Sequence, residues 1–149
     1  MTRPRLIVAE PHAAYLHRPK LVVDASVMTA LVYAEANADA AFSWVRGRSV
    51  CAPYIVDAEV TNAGMNKVRR RAGALKAVTE ALELYTAMQI ERYPLVPSEV
   101  FAIAHRHLLS AYDAAYLWLA ASLGAPLATF DARLGEAAQK HLGGGPGPG

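Results

Sequence analysis

Leu21-Val22-Val23-Asp24, followed at once by Ala25-Ser26-Val27-Met28, decides how the chain is read. A continuous apolar run rich in β-branched residues suits a strand covered on both faces, the position that parallel sheets impose. Ser26 then opens a helix through Val27, Met28, Leu31 and Val32, and a second helix over about 38–46 carries Ala41, Phe42, Trp44 and Val45. The alternation continues downstream. Ser49 to Ala52 reads as a second strand. Pro53 suits the first turn of a helix, having no donor to lose there, and that helix runs to about Arg71 before Gly73 stops it. Residues 74–92 place Leu75, Val78, Leu82 and Tyr85 at helical spacing. A third strand is expected at Leu95-Val96, then helices over about 98–109 and 111–123. A fourth strand ends at Phe130, before a last helix over 132–141. Short strands separated by helices predict an α/β protein, three-layered, with a short, mostly parallel central sheet flanked by helices.

The 149 residues suffice for one core, and 54% hydrophobic with 19% charged residues exclude a disordered chain. Three parts are expected: an N-terminal arm over 1–20 containing three prolines, a domain over 21–142, and a Gly/Pro tail over 143–149 that buries nothing and is disordered. A net charge of +2 permits a polyanionic partner without requiring one. Arg outnumbers Lys by 11 to 4, which favours planar, bidentate contacts to phosphate or carboxylate. The lone Cys51 excludes an intrachain disulfide framework and fits a reducing cytoplasm. No stretch approaches 18 apolar residues without a charge, so no membrane span is expected.

Four acids sit where such a chain keeps apolar residues. Asp24 ends the first strand, Glu59 interrupts Ile55-Val56 and Val60, Asp113 precedes Ala114-Ala115-Tyr116-Leu117, and Asp131 closes Leu127 to Phe130. Each has a bland explanation except Glu59. Asp24 or Ser26 suits a helix N-cap, Asp113 lies at capping-box spacing from Ser110, and Asp131 suits the cap of the last helix. Glu59 lies too deep in its helix to cap and too near the apolar face to be solvated. Parallel strands would carry Asp24 and Asp131 to one edge of the sheet, the edge where ligands bind in such folds. A carboxylate is not buried unpaired, and the partner that satisfies four of them is a divalent cation. Asp57, two positions from Glu59, falls on another face and reads as a helix-start acid facing water. His105 and His107 are also two apart on a helix and cannot chelate one ion together.

With those residues placed, the chain resembles the PIN-domain ribonucleases, and among them the VapC-type toxins of bacterial toxin–antitoxin pairs. The resemblance rests on Leu21-Val22-Val23-Asp24-Ala25-Ser26, Asp57-Ala58-Glu59-Val60, Ser110-Ala111-Tyr112-Asp113-Ala114-Ala115-Tyr116 and Ala128-Thr129-Phe130-Asp131, in the family's order. It implies that Asp24, Glu59 and Asp113 hold one Mg²⁺ or Mn²⁺. Asp131 would help hold a second, and Ser26 and Thr129 would line the site as small hydroxyl residues. It also implies phosphodiester hydrolysis of RNA, an antitoxin partner and a homodimer. The antitoxin helix would lie on part of the apolar set Val27, Met28, Leu31, Val32, Phe42, Trp44 and Val45. Arg46, Arg48, Arg69, Arg70 and Arg71 are the cations available to the RNA backbone. The arm over 1–20 lies outside the resemblance, and the Gly/Pro tail stands where the family often places another strand.

Two rivals remain at this level. A non-catalytic module for binding protein or RNA would use the acids only as caps. A phosphohydrolase with an aspartyl nucleophile would suit Asp24 but wants a second acid two positions on, where Ser26 stands.

Overall fold

The computed structural model describes residues 18–143. Most of the expected arm and tail (1–17 and 144–149) therefore lies outside the described residues. The elements are β1 (Lys20–Val23), α1 (Ala25–Val32), α2 (Ala38–Val45), β2 (Ser49–Pro53), α3 (Ile55–Arg70), a 3₁₀ turn (Ala72–Ala74), α4 (Leu75–Ala87), β3 (Glu91–Tyr93), α5 (Pro97–His107), α6 (Ala111–Leu123), β4 (Leu127–Ala128) and α7 (Ala132–Leu142).

The four strands form one sheet in the order β3-β2-β1-β4, and every pairing is parallel. Helices α1 to α4 pack together on one side, and α5 to α7 on the other, giving three layers. Val22, Val23, Cys51 and Ala52 are wholly buried between them, which is why these strands read as apolar runs rather than alternating ones. Helix α6 is the central helix of the second layer. Its residues Ala114 to Ala120 are all buried, and a helix apolar all round belongs inside a protein.

Two close contacts fix α3 against α1. Tyr33 Oη donates to Val60 O at 2.7 Å. It reaches that carbonyl across Gly64, where an added Cβ would lie 2.5 Å from the same hydroxyl. Glycine is the residue that admits this approach, and the approach holds the first half of α3 beside the C-terminal end of α1.

Three expectations need correction. Pro53 is the last residue of β2, not the first of a helix; Tyr54 donates its amide to Tyr93 O, extending the β2–β3 pairing past it. The third strand is Glu91–Tyr93 rather than Leu95-Val96, paired from Cys51↔Glu91 to Pro53↔Tyr93, so α4 stops at Ala87. The apolar excess of α1 and α2 is smaller than the sequence suggested. Val27 and Met28 are core residues, and only Phe42 and Trp44, 60% and 41% exposed, are left facing out.

Candidate active site

Parallel pairing brings the carboxyl ends of β1 and β4 side by side, and both ends are acidic. Asp24 is buried, with 4% exposure, and both its oxygens are taken. Oδ1 accepts from Ser26 Oγ at 2.6 Å and from the Val27 amide at 3.0 Å. Oδ2 accepts from Thr129 Oγ1 at 2.5 Å. Each hydroxyl also accepts an amide from the segment after β4: Phe130 N to Ser26 Oγ and Asp131 N to Thr129 Oγ1, both at 2.9 Å. Ser26 and Thr129 thus tie the two strand ends together around Asp24.

Glu59 enters from α3. Its Oε2 accepts from Tyr116 Oη of α6 at 3.3 Å, and its Oε1 is buried with no partner among the described residues. Burial, then Asp113 and Asp24, push its pKa up to about 7, against the pull of Tyr116. Asp24 is also raised, first by burial and then by Asp113, although its three donors oppose the shift. Asp113, half-buried in the first turn of α6, is raised by burial and by Asp131. Each of these acids is therefore felt by another. The chain of influence runs from buried Asp24 through Glu59 and Asp113 to exposed Asp131 at the mouth.

Helix starts explain why three of them are where they are. Asp24 caps α1, and Asp131 caps α7 through Leu134 N at 2.8 Å. Ser110 caps α6 by accepting Asp113 N at 3.1 Å. These caps are real, and they fix carboxylates at the sheet's edge. Glu59 has no such explanation. An unpartnered buried oxygen costs about 1–3 kcal/mol, and a cation among oxygen donors would satisfy it. The donor set is all carboxylate, which suits a hard divalent ion. Among the described residues no group of three His, Cys, Asp or Glu side chains is drawn close enough to hold a metal ion as the side chains stand.

The other predicted residues fall elsewhere. Arg48 precedes Ser49, the first residue of β2, at the opposite end of the sheet from Asp24, and Arg46 ends α2 beside it. Arg69 and Arg70 close α3 and Arg71 follows. Ten to twelve residues beyond Glu59 is about 15–18 Å of helix. None of the five is near the acids by its backbone. The cation that is near was missed: Arg133, in the first turn of α7, donates to Leu108 O at 2.5 Å, and its charge partly offsets the upward shift of Asp113. Its position two residues after Asp131 was the available signal. Tyr116 was also missed, because an aromatic in an apolar helix gives no sign of a carboxylate partner.

Asp57 is a first-turn acid whose side chain stays half-exposed, but it is not left to water alone. Its carboxylate binds Arg92 of β3, with Nε at 2.9 Å and Nη2 at 2.9 Å, and accepts from Tyr85 Oη at 2.7 Å. Burial would raise its pKa, but Arg92 and Tyr85 win and hold it below the ordinary value. The cluster ties β3 and α4 to the start of α3. Asp57→Asn should lower the melting temperature by a few degrees, at most about 1 kcal/mol for so exposed a pair, and leave any activity of the acidic site in place. Thermal melts and an activity assay on the same preparation check it.

The PIN-domain family model matches residues 21–140. Ribonuclease VapC3 of Pyrobaculum aerophilum is 32% identical over 122 residues, covering 78% of this chain and 93% of that protein. Ribonuclease VapC9 of Mycobacterium tuberculosis is 34% identical over 121 residues, covering 80% and 91%. Among solved structures, PAE2754 from Pyrobaculum aerophilum superposes with a TM-score of 0.65 at 24% identity, over 84% of this chain and 93% of the other.

Proposed function

The chain belongs to the PIN-domain family, and from that premise we propose that it is a metal-dependent endoribonuclease, the toxin of a toxin–antitoxin pair. The observation that carries this reading is Glu59, a carboxylate with one buried, unpartnered oxygen, pushed to about 7 and coupled to Asp24 and Asp113. Relatives named as VapC ribonucleases over most of their length support the substrate class.

Asp24, Glu59, Asp113 and Asp131 would hold Mg²⁺, with Mn²⁺ as an alternative. Such an ion acidifies a bound water and offsets charge on phosphate oxygens. The protein's own share of the work is positional. Ser26 and Thr129 fix both oxygens of Asp24, Tyr116 fixes one oxygen of Glu59, and Ser110 sets the helix start that carries Asp113. Arg133 supplies the positive charge beside the mouth. Arg46, Arg48 and Arg69 to Arg71 are left for RNA beyond the cut phosphodiester. The test is incubation of purified protein with single-stranded RNA, with Mg²⁺ and with chelator. Cleavage only with metal, leaving 5′-phosphate and 3′-hydroxyl ends, is expected; metal-independent cleavage would reject the mechanism.

The rival, a non-catalytic module, draws on the three caps. It leaves Glu59 unexplained, and it predicts no metal response of stability.

The chain is further proposed to form a homodimer and to bind an antitoxin in the cytoplasm. Phe101, Leu108 and Tyr112 are all more than 60% exposed, near a largely apolar cleft of about 490 Å³ between α5 and α6, and exposed apolar patches mark interaction surfaces. No helix among the described residues is long and apolar enough to cross a membrane. Light scattering at micromolar concentration should give twice the mass of 16.0 kDa; a strict monomer would refute the dimer.

A further inference from the structure

The acidic rim opens on one side into a cleft of about 320 Å³ along the free edge of β4. Trp44 and Arg48 line it from α2 and the segment after, and Leu127, Ala128 and Thr129 line it from the sheet. Thr129 belongs to both places, since the same residue donates to Asp24. The cleft therefore begins at the acidic site.

Three kinds of group meet there. Trp44 stacks on Phe130 with ring centroids 5.3 Å apart and 28° between planes. It is nonetheless 41% exposed, so part of the indole stays open beside Phe130, the residue that precedes Asp131. The edge of β4 supplies hydrogen-bonding groups. The carbonyls of Pro126 and Ala128 accept from Val22 and Asp24 of β1. Alternate residues of a parallel strand face opposite neighbours, so the amide and carbonyl of Leu127 face away from β1, where the sheet has no further strand among the described residues. Arg48 supplies a guanidinium. A flat aromatic face, a main-chain donor with an acceptor, and a cation are the contacts that an unstacked nucleotide takes through its base face, base edge and phosphate. Ordinary core packing does not explain Trp44 or Arg48, because both side chains are left exposed.

Resting on the reading that RNA is cut at the acidic rim, we propose that this cleft holds the nucleoside next to the scissile phosphate. Its base lies on Trp44, its edge faces the Leu127 main chain, and a flanking phosphate meets Arg48.

The decisive experiment uses an oligoribonucleotide cut at one place, with an abasic residue introduced in turn at each position flanking the cut. In the wild type, one abasic position should raise KM about tenfold with kcat little changed, the scale of one base–aromatic stack. Trp44→Ala should show that rise on the intact substrate and no further penalty from the abasic residue, while Trp44→Phe keeps most of the interaction. Arg48→Gln should raise KM a few-fold and flatten its salt dependence. If Trp44 acts only by supporting Phe130 and Asp131, Trp44→Ala lowers kcat on every substrate and the abasic penalty persists; that result overturns the subsite.

A binding measurement in chelator separates this inference from the reading beneath it. The part of the fluorescence lost in Trp44→Phe should be quenched by the oligoribonucleotide whether or not the protein cleaves. Quenching without metal-dependent cleavage would keep the subsite and reject the nuclease. Cleavage with no dependence on Trp44 would do the opposite. Quenching by a co-purifying protein partner but not by RNA would overturn the subsite in favour of protein docking.

Discussion

Asp24→Asn, Glu59→Gln and Asp113→Asn should each bring metal-dependent RNA cleavage to background. The loss should exceed the roughly 10- to 100-fold that changes beyond a metal's direct ligands cost. The three differ in how they act. Asp24→Asn disturbs the hub through which Ser26, Val27 and Thr129 join β1 to β4, so some of its loss is geometric and some melting change is expected. Glu59→Gln keeps the shape and one carbonyl acceptor for Tyr116, and removes the charge by putting an NH2 group in place of the oxygen that has no partner. Its loss reports charge at the site most cleanly. Asp113→Asn leaves the cap intact, because Ser110 accepts the main-chain amide of residue 113 and not its side chain. Cleavage assays at saturating Mg²⁺ on folded variants check all three. Full activity in Asp113→Asn or Glu59→Gln would remove that residue from the site.

The acids were legible in the sequence because each is an anomaly: a charge at the end of an apolar run has few explanations. The strand–helix alternation was legible for the same physical reason, since doubly covered strands must be continuously apolar. What was not legible depended on partners distant in sequence. β3 is three residues long and partly exposed, with no apolar run to announce it. It forms where it does because Tyr54 and Tyr93 extend its pairing and Arg92 reaches Asp57, 35 positions away. Helical phase correctly separated Asp57 from Glu59 but said nothing of Arg92 or Tyr85. The arginines were chosen by abundance, and only the parallel topology shows that their backbones lie far from the rim while Arg133 lies beside it. Trp44 was read as part of an apolar face, and its open ring became visible only once α1 had taken up Val27 and Met28 as core.

In the absence of metal the protein should be less stable at pH 8 than at pH 5, and the difference should vanish in part in Glu59→Gln. The folded pKa of Glu59 is about 7, against an ordinary value of 4.5. Between those values the folded state holds a proton that the unfolded chain has released. Stability therefore falls as pH rises through this window; the contribution is whole below about 4.5 and lost above about 7. Asp24 and Asp113 are shifted in the same direction and add to the slope. Taken whole, the Glu59 shift would be worth about 3 kcal/mol at 1.36 kcal/mol per unit. The group is only half-buried, so solvent screening reduces this to about 1–2 kcal/mol. Glu59→Gln should accordingly melt higher than wild type at pH 8 in chelator, and close to it near pH 4.5. Histidines, and acids that do not interact with Glu59, contribute equally to both proteins and cancel in the difference, while Asp24 and Asp113 titrate together with Glu59. Millimolar Mg²⁺ at pH 8 should raise the wild-type melting temperature more than the variant's, since a ligand of the folded state alone adds stability. A purely structural role for Glu59 gives the opposite sign, because the ionised carboxylate holds the Tyr116 hydroxyl more strongly than a neutral amide would, and losing that charge costs stability. Thermal melts of both proteins across pH 4.5–8, with chelator and with Mg²⁺, decide between them. A variant that melts below wild type at pH 8 in chelator, with no response to metal in either, would show that Glu59 is a structural carboxylate.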